Sequence, residues 1–215
     1  MLPSPLEYAA NGYLPETVVN GLARLGWSHG NDEIFSPQQL VDWFNLESLT
    51  PSPARFDLEK FEWLNGEHIK RLSVDELAKR LQPFLVAEGY ELTAAPSALA
   101  VAELLRERAP TLKKMAETAR YCYVKPEVDV ALLAQHLTEA NKPSLAWVRE
   151  QLASVEWAKP ALAAILKEAQ TKFAVKTPQV MMPLRVMLAG SAQAPAVDAL
   201  LLTLGRETSL ERIVV

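Results

Sequence analysis

Glycine is scarce in this chain, with eight among 215 residues, about half of the roughly 7 % usual in proteins. Hairpin turns and phosphate-cradling loops draw on glycine at positive φ, so the shortage disfavours all-β folds and nucleotide-binding α/β folds. Neither G-x-x-x-x-G-K-[ST] nor G-x-G-x-x-G occurs. Cysteine is scarcer still. Cys122 stands alone, which rules out an internal disulfide and fits a reducing compartment. Long apolar runs are missing too: Ala194 to Leu204 is broken by Asp198 and falls well short of the roughly 18 to 20 residues that cross a bilayer. No membrane partner is expected. The opening Met1-Leu2-Pro3-Ser4-Pro5-Leu6-Glu7 has neither the basic region nor the apolar segment of a leader, so a cytoplasmic setting is expected.

What is present is ordinary for a globular chain: 49 % hydrophobic and 22 % charged residues, with a net charge of −4. The charge is unevenly spread, since residues 1–70 carry −6 and residues 71–215 carry +2. Helical spacing dominates. Val18, Val19, Leu22 and Leu25 recur as one face of a helix over 15–25, with Gly26 as a left-handed stop. Ser36-Pro37 opens a second helix with Leu40, Val41 and Phe44 on one side, and Asp57 caps a third with Phe61 and Leu64 inward. Ser73-Val74-Asp75-Glu76 reads as a capping box before Leu77, Leu81 and Leu85, with a bend at Pro83. Similar signals predict helices over 97–108, 111–121, 129–139, 144–154, 157–172, 178–188, 196–204 and 207–213. Only Ile34-Phe35 reads as extended. The fold class is therefore mainly α.

Catalytic chemistry finds little support. Gly26-Trp27-Ser28-His29-Gly30 matches G-x-S-x-G letter for letter, but a nucleophile elbow joins a strand to a helix, and here a helix precedes it. His29, His68, His136 and Cys122 are the soft-metal candidates, and no two stand two to five residues apart. No catalytic residue and no metal site are expected. A binding surface is better supported. Arg106, Arg108, Lys113, Lys114, Arg120 and Lys125, against Glu107 and Glu117, give residues 104–125 a net +4, with Tyr121 and Tyr123 interleaved. Cations neutralise phosphates and tyrosine faces stack unpaired bases, as in the binding of single-stranded RNA loops. The alternative is a helical protein-interaction module with a basic docking face. Gly190 to Val197 forms a second candidate, a loop that runs into a helix whose first N–H groups lack partners.

Several stretches in order resemble the C-terminal half of bacterial or organellar glutamyl-tRNA synthetases. They are Gly12-Tyr13-Leu14-Pro15-Glu16, Leu25 to Gly30 followed by Glu33-Ile34-Phe35-Ser36, Ser52 to Asp57, Trp63-Leu64-Asn65-Gly66, Met182-Pro183-Leu184-Arg185, Leu188, Gly190-Ser191 and Leu204-Gly205-Arg206-Glu207. The resemblance implies a stem-contact region over 1–70 and two all-helical anticodon-binding subdomains over 71–130 and 131–215. It implies tRNA(Glu) as the partner, not DNA or a membrane, in the cytoplasm or an organellar matrix. Arg108 aligns with the family arginine that reads the third anticodon base, accepting cytosine and excluding guanine. An arginine's planar fork suits that task. Ala194-Pro195-Ala196-Val197 aligns with the segment that packs on the first two anticodon bases, where threonine, glycine and leucine are common at the first, third and fourth positions. Ala194 has no hydroxyl, so contact there is backbone or apolar. Arg185, Lys113, Lys114 and Arg120 complete the expected tRNA-binding set beside Arg108, Ala194, Pro195 and Val197. Neither a His-Ile-Gly-His nor a Lys-Met-Ser-Lys-Ser signature is present. The resemblance therefore implies no cofactor in this chain, with ATP and magnesium held by a catalytic domain upstream in the same polypeptide, and no amino-acid activation by this chain alone.

Overall fold

The computed structural model describes residues 4–50, 57–93 and 95–215, and the regular elements among them are all helices, with no strand. Part of the Ser52–Asp57 motif, residues 52–56, lies outside the described residues. The chain divides into two compact units: residues 1–89 with 105–118, and residues 90–104 with 119–215. Residues 71–130 are thus shared between the units.

The first unit holds α1 (Pro5–Ala10), α2 (Pro15–Ala23), α3 (Pro37–Trp43), α4 (Leu58–Arg71) and α5 (Val74–Ala87). The helix α6 (Ala98–Leu105) follows, nearly all of it in the second unit, and the first unit is completed by α7 (Leu112–Thr118). Helix α1 was not expected, although Ser4 and Glu7 form a full capping box in which each side chain accepts from the other's backbone N–H. Helix α3 begins as Ser36-Pro37 requires, with the same reciprocal cap to Gln39. Asp57 accepts from the Lys60 N–H and starts α4. Ser73 caps α5 through the Glu76 N–H at 3.2 Å, while the Glu76 carboxylate takes the Arg80 Nε at 2.7 Å. Helix α5 runs on through Pro83, and its buried Leu77, Leu81 and Leu85 form the face that packs on α7.

Four expectations need correction here. Helix α2 buries Thr17 and Asn20, while Val19 and Leu22 are exposed. Its inward face is polar because buried hydrogen bonds from α4 and from the following loop converge on it. Val41 and Phe44 are likewise exposed, and α3 buries no residue. Gly26 is not the left-handed stop, since α2 ends at Arg24 in right-handed geometry and Gly26 is absent from the positive-φ residues. The extended pairing lies at Trp27, in an isolated antiparallel bridge to Leu49, and not at Ile34-Phe35.

The second unit continues with α8 (Arg120–Tyr123), α9 (Val130–His136), α10 (Lys142–Ser154), α11 (Lys159–Lys172), α12 (Thr177–Ala189), α13 (Val197–Leu204) and α14 (Arg206–Arg212). The expected helix over 111–121 is split at Ala119 into α7 and α8. Helices α10 to α14 pack on one another through Leu145, Val148, Leu152, Leu162, Leu184, Leu188 and Leu200, all fully buried. Arg212 is itself buried and donates from Nη1 to the Tyr121 and Leu188 carbonyls at 2.7 and 2.8 Å. It ties the ends of α8 and α12 to α14. Burial pushes its pKa down, but a guanidinium starts so far above neutrality that it stays charged. Gly190, at φ +73°, ends α12 in the left-handed turn that any side chain would strain.

Candidate nucleic-acid interface

In the first unit, the loop between α6 and α7 carries Arg106, Arg108 and Pro110. Arg108 and Lys113 are exposed. Arg106 is not a free cation: its Nη2 donates to the Lys70 carbonyl and, at 3.0 Å, to the Leu72 carbonyl. These oxygens sit at the C-terminal end of α4, where carbonyls lack helical partners and the dipole is negative. Lys114 pairs with Glu62 at 2.8 Å. Asn65, fully buried on α4, donates to the Pro110 carbonyl at 2.6 Å. The Leu112 N–H donates to the Gly12 carbonyl at 3.0 Å, and Thr111 Oγ1 accepts from the Lys114 N–H at 3.1 Å. The loop that presents Arg108 is therefore fastened on both sides.

In the second unit, Arg120 is exposed at the start of α8, and Lys125 pairs with Glu211 at 2.8 Å. Solvent screens such an exposed pair, which adds little to stability. Tyr123 stacks on Tyr90 with ring centroids 4.7 Å apart and planes 11° from parallel, so one of its faces is taken. Burial raises the Tyr123 hydroxyl pKa to about 12.

Arg185, on α12, donates from Nε to the Pro195 carbonyl at 3.1 Å. It braces the loop before α13. Ala194, Pro195 and Val197 are buried, whereas Ala196 is exposed. The side chains of three expected contact residues thus serve the core, and the segment offers a ligand its backbone, Ala196 and the Arg185 fork. A cavity of about 280 Å³ opens here, lined by Arg185, Ala196 and Val197 with Lys167, Gln170 and Asp198. The last three were missed in the sequence. Lys167 and Gln170 are three apart on α11 and share a face, yet nothing in the sequence joins that face to residues 185–198.

The remaining candidates resolve plainly. Ser28 is exposed and the next helix opens only at Pro37, so the strand-to-helix elbow is absent. The His29 Nδ1 lies 3.0 Å from Asp32 Oδ2 and its ring stacks on Trp43 at 4.3 Å. His68 is buried, with Nε2 2.9 Å from Asn20 Oδ1. Cys122 is buried, which pushes its thiol up to about 12, and a protonated thiol is inert. Among the described residues no group of three or more His, Cys, Asp and Glu side chains is placed to hold a metal ion, and no helix is long and apolar enough to cross a membrane.

The first unit thus presents a fastened arginine loop, and the second an arginine-braced helix start. Residues 76–214 match the anticodon binding domain family, and the chain belongs to that family. Residues 4–63 match the model of the class I tRNA synthetase (E and Q) catalytic domain. The similarity extends across nearly the whole chain to glutamate–tRNA ligases. That of Herminiimonas arsenicoxydans is 48 % identical over 210 residues, covering 98 % of this chain and 45 % of the relative. That of Janthinobacterium sp. (strain Marseille) is 47 % identical with the same coverage. A solved glutamate–tRNA ligase from Elizabethkingia meningosepticum superposes with a TM-score of 0.85 at 26 % identity, over 96 % of this chain and 41 % of that one. The chain spans a little under half the length of the curated relatives it matches.

Proposed function

We propose that this chain is the region of a glutamate–tRNA ligase that recognises the anticodon of tRNA(Glu) during protein biosynthesis. The observation that carries the reading is the anticodon-binding family match over 76–214 with an exposed Arg108 held in a fastened loop inside it. Arg108 reads the third anticodon base. The backbone of residues 194–197, with Arg185 behind it, packs on the first two, and Lys113, Lys114 and Arg120 neutralise phosphates. Residues 1–70 contact the stem at the inside corner of the tRNA, and the helices that follow hold the anticodon arm. ATP, magnesium and glutamate are bound by the rest of the enzyme.

The expected outcome of filter binding is an affinity for tRNA(Glu) transcripts that falls steeply with salt, because phosphate neutralisation releases counterions. Equal affinity for a transcript with a scrambled anticodon would sink the anticodon assignment. Arg108→Gln replaces the fork with an amide and is expected to relax discrimination at the third anticodon base by about 1 to 3 kcal/mol. Unchanged discrimination would remove Arg108 from the site.

A further inference from the structure

We infer that Asn65 and Arg106 are positioning residues for Arg108, so that anticodon specificity depends on helix α4 as well as on the loop that meets the base. This rests on the assignment of Arg108 to the third anticodon base. An arginine that separates cytosine from guanine does so only if its fork is presented in one orientation. On a mobile loop the same fork adapts to either base and specificity is lost.

The geometry holds the loop on both sides of Arg108. Two residues before it, Arg106 grips the Lys70 and Leu72 carbonyls. Two residues after it, the Pro110 carbonyl accepts from Asn65 Nδ2 at 2.6 Å. Both anchors lie on or at the end of α4. Asn65 is in turn fixed, since its Oδ1 accepts from the Leu14 N–H and from Thr17 Oγ1, each at 2.8 Å, and its Nδ2 also reaches the Gly12 carbonyl at 3.4 Å. This fills the side-chain amide's hydrogen-bonding capacity. Gly12 closes the circuit by accepting from the Leu112 N–H. The Arg108 N–H itself donates to the Leu105 carbonyl at 2.9 Å. These bonds fix the backbone on either side of Arg108, so the clamp sets where its side chain starts.

The test compares transcripts of tRNA(Glu) bearing cytosine or guanine at the third anticodon position, bound to the 215-residue chain. Asn65→Asp keeps the acceptor toward Leu14 and Thr17 but removes the donor to Pro110. Arg106→Lys keeps the charge but loses the two-carbonyl fork. Each is expected to lower the cytosine-over-guanine affinity ratio by about five- to tenfold, a part of what a full bidentate contact discriminates. The affinity for the cytosine transcript should change less than the ratio, and neither variant should lower the ratio further when combined with Arg108→Gln. A merely structural role lowers the melting temperature and leaves the ratio unchanged, and that result overturns the inference. If Asn65→Asp does not fold, Arg106→Lys decides alone. Arg108→Gln separates the two failures: an unchanged ratio there defeats the third-base assignment. A ratio abolished in Arg108→Gln but intact in the clamp variants defeats the positioning role only.

Discussion

The arginines of this protein are used chiefly as carbonyl clamps. Arg106 closes the end of α4, Arg206 donates to the Ala153 and Val155 carbonyls at the end of α10, Arg149 reaches the Ile213 carbonyl at 2.9 Å, and Arg212 joins α8 and α12. A basic stretch in a sequence looks alike whether its charges face solvent or helix ends, so the +4 of residues 104–125 overstates the charge left facing solvent. Arg108 was legible because its neighbours resemble a known motif, and Asn65 was visible only as part of one. His68 shows a different use of a polar group. Asn20 Oδ1 already accepts from the Phe35 N–H, so the facing Nε2 of His68 carries its proton and donates. Burial, with the nearby Arg71 charge, lowers the His68 pKa from 6.5, against a smaller opposing pull from Glu16. The folded state therefore disfavours the imidazolium relative to the unfolded chain. Stability from this group is present above pH 6.5 and falls as the pH drops below it, because the unfolded chain takes up the proton first. Thermal melts between about pH 7 and pH 5 should lose less stability in His68→Gln than in the parent. Equal slopes would count against it. Two glycines give a paired test of backbone strain against crowding. Gly12 and Gly89 have φ of +80° and +83°, but a Cβ on Gly12 would stand 2.4 Å from the Lys113 nitrogen, whereas nothing lies within 4 Å of one on Gly89. Gly89→Ala is expected to cost about 1 to 2 kcal/mol for the left-handed conformation alone. Gly12→Ala should cost clearly more, as read by denaturant midpoints.

At the scale of elements, capping signals were more dependable than the spacing of apolar residues. Ser36-Pro37, Asp57 and Ser73 mark the starts of α3, α4 and α5, because a cap is satisfied by its own next turn and needs no distant partner. Faces are decided elsewhere. In α2 the spacing of Val18, Val19, Leu22 and Leu25 pointed one way, and the helix turned Thr17 and Asn20 inward to meet Asn65, His68 and the Phe35 backbone. A polar residue is buried only where partners from other elements wait for it, and one helix cannot announce those partners. The consequence is measurable in the same helix. Asn20→Ala strands the buried Phe35 N–H and is expected to cost about 2 to 3 kcal/mol, whereas Leu22→Ala, at an exposed position, should stay within about 0.5 kcal/mol. A reversed order in urea midpoints would show that the apolar face is the buried one. The segment before α13 follows the same logic. Ala194, Pro195 and Val197 are short and apolar, and the core claimed them.

At the scale of the whole molecule, the two compact units are not successive stretches of chain. Residues 105–118 complete the first unit after residues 90–104 have joined the second. A chain ending at Gly89 keeps Leu77, Leu81 and Leu85 of α5 but loses α7, on which they pack. It should therefore fail to melt cooperatively, while a chain ending at Thr118 should regain a cooperative transition by circular dichroism. Cooperative melting of the shorter chain would show that α7 is dispensable. The sequence by itself determined the mainly helical class, nearly every helix start and the family resemblance. Each of these rests on caps, helical periodicity or ordered motifs that act over a few residues. The tertiary structure alone decided which helix faces are buried, which cations are spent on carbonyls, and how residues distant in the chain fasten the Arg108 loop. Those outcomes depend on groups separated by up to 91 positions, as Arg212 and Tyr121 are, and a burial or a hydrogen bond exists only once both partners are in place.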